Sequence, residues 1–188
     1  MITAVVPCVN PDPSLLRVTV KSALDSGVNE VLVVDGGSLP VVLHRNRTRV
    51  LRTAEPMSVD DAASIGIAES AHDWIVRLDV GDALLPAKLR QLSATVAAGS
   101  ACSVSHYADD TGETVDQFSD GAPGASIVFN RTADTVGTVA IYPEVTCVVT
   151  SRHHLADTTN QPPCAVSTDG DAADDGRNRD AAATGERD

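Results

Sequence analysis

Apolar positions in this 188-residue chain fall into short unbroken blocks, separated by stretches of helical periodicity. Residues 2–6 (ITAVV) and 30–34 (EVLVV) have the pattern of strands buried on both faces. Pro7 stops the first run, and Asp35, Gly36 and Gly37 stop the second. Between them Asp12 suits a helix N-cap with Pro13 at the first helical position. Leu16, Val20, Ala23 and Leu24 then share one face, and Gly27 marks the end. The unit reads strand, helix, strand. A third strand is predicted over residues 49–53, followed by a helix opened by Ser58, with Asp61 completing a capping box in place of Glu. Residues 74–78 (WIVRL) form a fourth strand that runs directly into Asp79, Val80, Gly81 and Asp82. Pro86 opens a further helix, on which Leu89, Leu92 and Val96 make an apolar stripe.

Strands alternating with helices at this pace predict an α/β fold: a mainly parallel, Rossmann-like sheet with right-handed crossovers and helices on both faces. Beyond residue 101 the pattern changes. Residues 101–107 and 113–118 flank a hairpin turn at 108–112, and 125–129 and 144–150 supply strands with no clear helix between them. The C-terminal part is therefore expected to be mixed or antiparallel.

Charge narrows the picture. The chain carries 26 Asp and Glu against 14 Lys and Arg, a formal charge of -12. Residues 169–188 hold seven acids and three arginines but no Leu, Ile, Val or aromatic side chain. Such a segment buries too little apolar area to offset its ordering. The expected organisation is one folded domain over residues 1–160 and an acidic, disordered tail over 161–188. A folded part that stays acidic argues against nucleic-acid backbone binding, which needs basic clusters. The basic run from Arg45 to Arg52 reads as a solvated loop and edge strand. Cys8, Cys102, Cys147 and Cys164 lack the short paired spacings that hold zinc, so buried free thiols are expected. No apolar run approaches the ~18 residues of a membrane span, and the first residues lack a secretory pattern. A cytoplasmic protein without a membrane span is the expectation.

In open α/β sheets ligands lie beyond the carboxyl ends of the strands, where Asn10, Asp35, Asp79 and Asp82 are all expected. Any one of these acids, taken singly, reads as a turn-capping residue. Gathered at one edge, carboxylates repel unless a cation or hydrogen-bond donors compensate. Hard oxygen ligands suit Mg²⁺ or Mn²⁺, which commonly take one or two carboxylates plus substrate phosphates.

Three segments carry a resemblance. TAVVPCVNPDPSLLRVTVKSAL is similar to the first strand and helix of the GT-A-fold (nucleotide-diphospho-sugar transferase) glycosyltransferases of family 2, VLVVDGGS to their second strand, and WIVRLDVGDALLPAKLRQL to their metal segment. SHYADDTGETV and EVTCVVTSRHHL resemble the later excursion and the strand and turn that follow. The resemblance implies a metal-assisted, inverting glycosyltransferase that moves a sugar from a nucleotide-diphosphate donor to a hydroxyl, using Mn²⁺ or Mg²⁺. It assigns Pro7, Asn10, Asp35 and Asp79 to the donor and Asp82 with Asp79 to the metal. The acceptor, whether protein, lipid-linked or small molecule, stays open.

Gly36 and Gly37 stand where a second acid often follows, Gly81 replaces the middle acid of the Asp-x-Asp-Asp run, and Ala63 and Ser64 stand where many members carry Arg and Asn. For the catalytic base that removes the acceptor's proton, the candidates are Asp109 and Asp110 in the hairpin and Asp169 or Asp171 in the tail. His153 and His154 are adjacent and so point apart, which speaks against a metal pair. Trp74 is expected in the core. Arg77, inside an apolar strand, needs a partner, either an Asp or the donor diphosphate. One alternative is a degenerate, non-catalytic GT-A protein that binds a nucleotide or a protein partner. A nucleotidyltransferase fits less well, because PCVNPDPS lacks the Gly-rich basic loop.

Overall fold

The structure, a computed structural model, describes residues 1–109, 111–115, 124–133 and 140–149. The first strand, β1 (Ile2–Cys8), is buried along its whole length and runs through Pro7 instead of stopping there. The Val5 carbonyl accepts from Leu78 N, and the Cys8 carbonyl accepts from Gly36 N. In a parallel ladder alternate residues bond to opposite neighbours, so Pro7 faces the same side as Val5. The paired strand on that side ends opposite Val5, and the missing N–H of Pro7 therefore costs no ladder bond.

Helix α1 (Pro13–Asp25) is capped by the Asp12 carboxylate, which accepts from the amides of Ser14 and Leu15 at 2.7 and 3.2 Å. Strands β2 (Glu30–Asp35) and β3 (Thr48–Arg52) follow, then α2 (Val59–Glu69). The Ser58 hydroxyl accepts from Asp61 N at 3.1 Å and donates to the Asp61 carboxylate at 2.7 Å, the reciprocal cap that the spacing predicts. Next come β4 (Trp74–Arg77), the two-residue β5 (Ala83–Leu84), α3 (Ala87–Ala97), β6 (Cys102–Ala108), β7 (Thr114–Val115), a 3-10 turn (Gly124–Ser126), β8 (Ile127–Asn130) and β9 (Ala140–Val148).

Among the described residues the strands make one sheet in the order β3-β2-β1-β4-β8-β6-β9-β5, with β7 hairpinned onto β6. The first four positions are mutually parallel. Strand β8 runs antiparallel to both β4 and β6, β9 is parallel to β6, and β5 is antiparallel to β9. The two reversals cancel, so β6 and β9 point the same way as β4. The carboxyl ends of β1, β2, β4, β6 and β9 consequently share one edge. The expected mainly parallel sheet with a mixed C-terminal part is what forms. Strand β5 has no counterpart among the predicted elements.

The core is aliphatic: Val31, Leu32, Val33 and Val34 of β2 are fully buried, as are Ile2, Val5, Val6, Ile75 and Val76. Trp74 is half-buried against this core at the amino end of β4. Helix α3 departs from its sequence pattern. Its buried positions are Ala87, Lys88, Gln91 and Thr95, while Leu89 and Leu92 are only partly covered and Val96 is exposed. The inward face is polar because the side chains bond to one another and to the sheet. Lys88 Nζ, with the residue fully buried, donates to Gln91 Oε1 at 2.8 Å and to the Ala125 carbonyl at 2.6 Å. Gln91 Nε2 donates to the carbonyls of Ser103 and Ser126 at 3.2 and 3.0 Å. Thr146 Oγ1 donates to Gln91 Oε1 at 3.3 Å.

Cys8 and Cys147 are buried free thiols as expected, whereas Cys102 is disulfide-bonded. Among the described residues no helix is long and apolar enough to cross a membrane. The expected domain boundary at residue 160, the tail, Cys164 and the pair His153 and His154 lie outside the described residues.

Candidate functional site

Strand register places the acids. Asp35 is the last residue of β2, paired with Cys8 of β1 and Arg52 of β3. Val5 pairs with Arg77, and Asp79 and Asp82 follow two and five residues later. Asp109 follows β6. The topology therefore brings Asn10, Asp35, Asp79, Asp82 and Asp109 to one edge of the sheet. Among the described residues no three of His, Cys, Asp and Glu gather as one metal-holding group, so Asp35 does not join Asp79 and Asp82 in a single cage.

Asp35 is enclosed. Its side chain has no exposed surface, and its carboxylate accepts from Gly37 N at 3.1 Å, Val41 N at 2.8 Å and Arg52 Nη1 at 2.6 Å. Arg52 also donates to the carbonyls of Gly37 and Ser38. This pair folds residues 37–41 over the end of β2. Burial, and then the charge of Asp35, push the neighbouring Cys8 thiol up to about 12. Asn10, with φ 47°, turns β1 back toward this segment, and its Oδ1 accepts from Leu39 N at 3.1 Å. A Cβ at Gly37 would stand 2.6 Å from both Asn10 N and Asn10 Oδ1. The two loops touch here, which leaves no room for a side chain at Gly37.

Asp79 and Asp82 occupy one tight turn, closed by a bond from Asp82 N to the Asp79 carbonyl at 3.0 Å. Both residues are buried, Asp79 to 6% and Asp82 to 1% exposure. Gly81 has φ 108°, a backbone conformation open to glycine and strained for an aspartate, which explains why no middle acid stands there. The turn is held from α1. Thr19 Oγ1 accepts from Gly81 N at 2.9 Å and donates to the Asp82 carbonyl at 3.0 Å, and Ser22 Oγ accepts from Leu84 N at 3.1 Å. The sequence pattern does not single out Thr19, although a hydroxyl among Leu16, Val20 and Ala23 on the buried face is an available signal.

Arg77 finds carboxylates on two sides: Nη1 donates to Asp60 of α2 at 2.8 Å and Nε to Asp79 at 3.2 Å. Burial opposes its charge, but Asp79 and Asp60 outweigh burial and hold the guanidinium above its ordinary range. On the other flank of the turn Asp82 lies close enough to Cys147 to act on its thiol. Burial pushes that thiol up to about 11, with Lys88 opposing the rise and Asp82 adding to it.

Asp109 holds its own hairpin in shape. Its Oδ1 accepts from Thr111 N, Thr111 Oγ1 and Glu113 N at 2.9, 2.6 and 3.0 Å. Asp110, Asp169 and Asp171 lie outside the described residues. The basic run is held internally. Arg47 donates to the Val28 and Leu24 carbonyls, Arg49 to Glu30 and the Glu69 carbonyl, and Arg52 to Asp35.

Two hard carboxylates on one buried turn are oxygen donors of the kind that a magnesium-type ion takes. Solved structures share this architecture. S. aureus TarS 1–349 superposes with a TM-score of 0.62 at 13% identity, over 79% of this chain and 60% of that one. Its complex with UDP-GlcNAc gives 0.65 at 13% identity, over 80% and 58%, and S. aureus TarS gives 0.65 at 12%, over 80% and 36%. These likenesses establish the GT-A fold, and the chain spans about three fifths of the TarS 1–349 length. No curated protein matches the chain. The family model described as glycosyl transferase family 2 matches residues 3–151, a span that runs from within β1 to beyond the end of β9 and includes both carboxylates of the turn, so the chain belongs to glycosyl transferase family 2.

Proposed function

We propose that this chain is a sugar-nucleotide-dependent glycosyltransferase, binding its donor along the shared carboxyl edge and transferring the sugar with inversion to a hydroxyl acceptor. The observation that carries the reading is the buried Asp79–Asp82 turn within a chain of this family. The UDP-GlcNAc complex of a TarS structure with the same fold supports a nucleotide-sugar donor.

Asp82, with Asp79, would hold Mn²⁺ or Mg²⁺, and the ion would neutralise charge developing on the leaving diphosphate. The chain's own residues set the geometry. Thr19 and Ser22 fix the turn, Pro7 and Asn10 border the donor at the end of β1, and Asp35 orders the segment that lies over β2. The Asp35 side chain has no exposed surface and lies under residues 37–41, accepting from the amides of Gly37 and Val41. Direct contact with base and ribose therefore requires residues 37–41 to swing aside. Location in the cytoplasm is part of this proposal, consistent with a sugar-nucleotide donor.

One observation favours a second reading, a protein that binds the donor without transferring it: Asp109, a candidate base, already anchors its own turn. Incubation with UDP-, GDP-, ADP- and dTDP-sugars, with and without Mn²⁺, separates the two. Metal-dependent thermal stabilisation with release of nucleoside diphosphate is the expected result. Stabilisation without release supports the second reading, and no stabilisation by any donor overturns both.

A further inference from the structure

A diphosphate bound near Asp79 and Asp82 approaches an edge crowded with acids, where a cationic donor strengthens the attraction that a metal supplies. The cations at this edge differ in how they are engaged. Arg52 is held by Asp35 and two carbonyls. Lys88 is fully buried on α3 and bonded to Gln91 and Ala125. Arg77 remains. Its Nε and Nη1 bond to Asp79 and Asp60, while Nη2 makes no hydrogen bond among the described residues and is not among the buried polar atoms left unsatisfied. A guanidinium carries five N–H donors in a rigid fork, so Nη2 keeps two that reach solvent. The stem is gripped as well. A Cβ at Gly124 would lie 3.0–3.2 Å from the Arg77 Cβ, Cγ and Cδ, so the 3-10 turn packs directly along it.

We infer that Arg77 is a diphosphate-recognising residue, using Nη2 to grip the donor's diphosphate while Nε and Nη1 hold Asp79 and the first turn of α2 in place. The assignment rests on the proposed donor site and adds to it a residue that reads phosphate charge. One side chain then links three parts of the site. Asp60 keeps the arginine oriented in the empty protein, Asp79 joins it to the metal turn, and the open end of the fork distinguishes a diphosphate from a bare nucleoside. Asp60 is 37% exposed, so solvent screens its pull on the guanidinium and leaves charge for the diphosphate.

The experiment measures binding of UDP, GDP, ADP and dTDP, each with its monophosphate and nucleoside, to the full chain in Mn²⁺. If no nucleoside diphosphate binds the parent, the donor site itself fails, and Arg77 with it. For the base that binds, Arg77→Gln is expected to weaken the diphosphate by about 10- to 100-fold and the nucleoside by less than about twofold. Arg77→Lys is expected to recover part of the loss, since it keeps the charge but not the fork. Asp60→Asn is expected to leave diphosphate affinity equal or higher, because a competing acid is removed. Equal loss for diphosphate and nucleoside in Arg77→Gln, or loss in Asp60→Asn matching that of Arg77→Gln, would show that the ion pair is only structural and overturn the assignment. Should Arg77→Gln fail to fold, Arg77→Lys and Asp60→Asn decide the matter in the same assay.

Discussion

The hydroxyl of Thr19 donates to the carbonyl of Asp82 across 3.0 Å and receives the Gly81 amide proton at 2.9 Å. One helix side chain therefore sets the backbone from which the buried Asp82 carboxylate projects. Thr19→Val keeps the shape and removes both bonds, with an expected loss of about 1–3 kcal/mol in urea unfolding. Mn²⁺ affinity should fall by about tenfold, the usual cost of losing an outer support of a metal site. Thr19→Ser should restore both. Asp82→Asn, by contrast, is expected to fold normally and to lower turnover by about 10²-fold or more. Parent-like turnover in that variant excludes Asp82 as the metal ligand.

Arg52 and Asp35 form the other support. Arg52→Ala leaves a fully buried carboxylate with two backbone amides but no counter-charge. Stability is expected to drop by about 2 kcal/mol, which for a chain of this size lowers Tm by about 4–8 °C. Calorimetry checks the figure. An unchanged Tm would mean that Asp35 does not depend on Arg52 for its charge balance.

At Gly37 the obstacle is backbone as well as side chain, since an added methyl would meet Asn10 N at 2.6 Å. Gly37→Ala must separate the two loops, at an expected cost of about 1–3 kcal/mol. Donor affinity should weaken in the same variant while the rest of the sheet retains its amide protection. Hydrogen exchange shows whether the disturbance stays within residues 9–11 and 36–41.

Alkaline titration reports on the buried groups. Burial lowers Lys88 to about 8 from 10.5. Between those values the unfolded chain holds a proton that the folded one has released, so stability rises with pH. Cys8 and Cys147 are raised to about 12 and about 11 from 9.0. Above pH 9 the unfolded chain loses protons that the folded one keeps, and stability falls. The expected profile climbs from pH 8 to about 9 and then declines. Lys88→Met should abolish the climb and retain the decline, as read from urea midpoints at pH 7 to 10.5.

How much of this is legible in the sequence depends on distance along the chain. The caps at Asp12 and Ser58 are readable because donor and acceptor lie within three residues. Pro7 reads as a stop, wrongly, because its tolerance depends on where β4 ends. Hydropathy assigns the inward face of α3 to the Leu89, Leu92 and Val96 stripe, where the structure has Lys88, Gln91 and Thr95, because it rewards apolar periodicity. It gives no weight to partners such as Ser103, Ser126 and Thr146 that arrive later in the chain. Strand β5 has two residues and exists only through Cys147 and Val148. At the site, Asp79 and Asp82 are marked by following an apolar strand directly. The enclosure of Asp35 is not, since Arg52 lies 17 residues away.

The polar seam beneath α3 has a consequence for assembly. The β1–β4 half can condense on aliphatic contacts alone, and such contacts tolerate imprecise intermediates. Lys88 and Gln91 instead find acceptors on the turn before β8 and on β6, while β9 contributes the Thr146 hydroxyl as a donor to Gln91, so the buried ammonium lacks its backbone acceptor until the turn before β8 has arrived. The seam works as a proofreading lock: arrangements that misplace this turn leave a charge short of its acceptor, and those that misplace β6 or β9 leave the Gln91 amide unpaired.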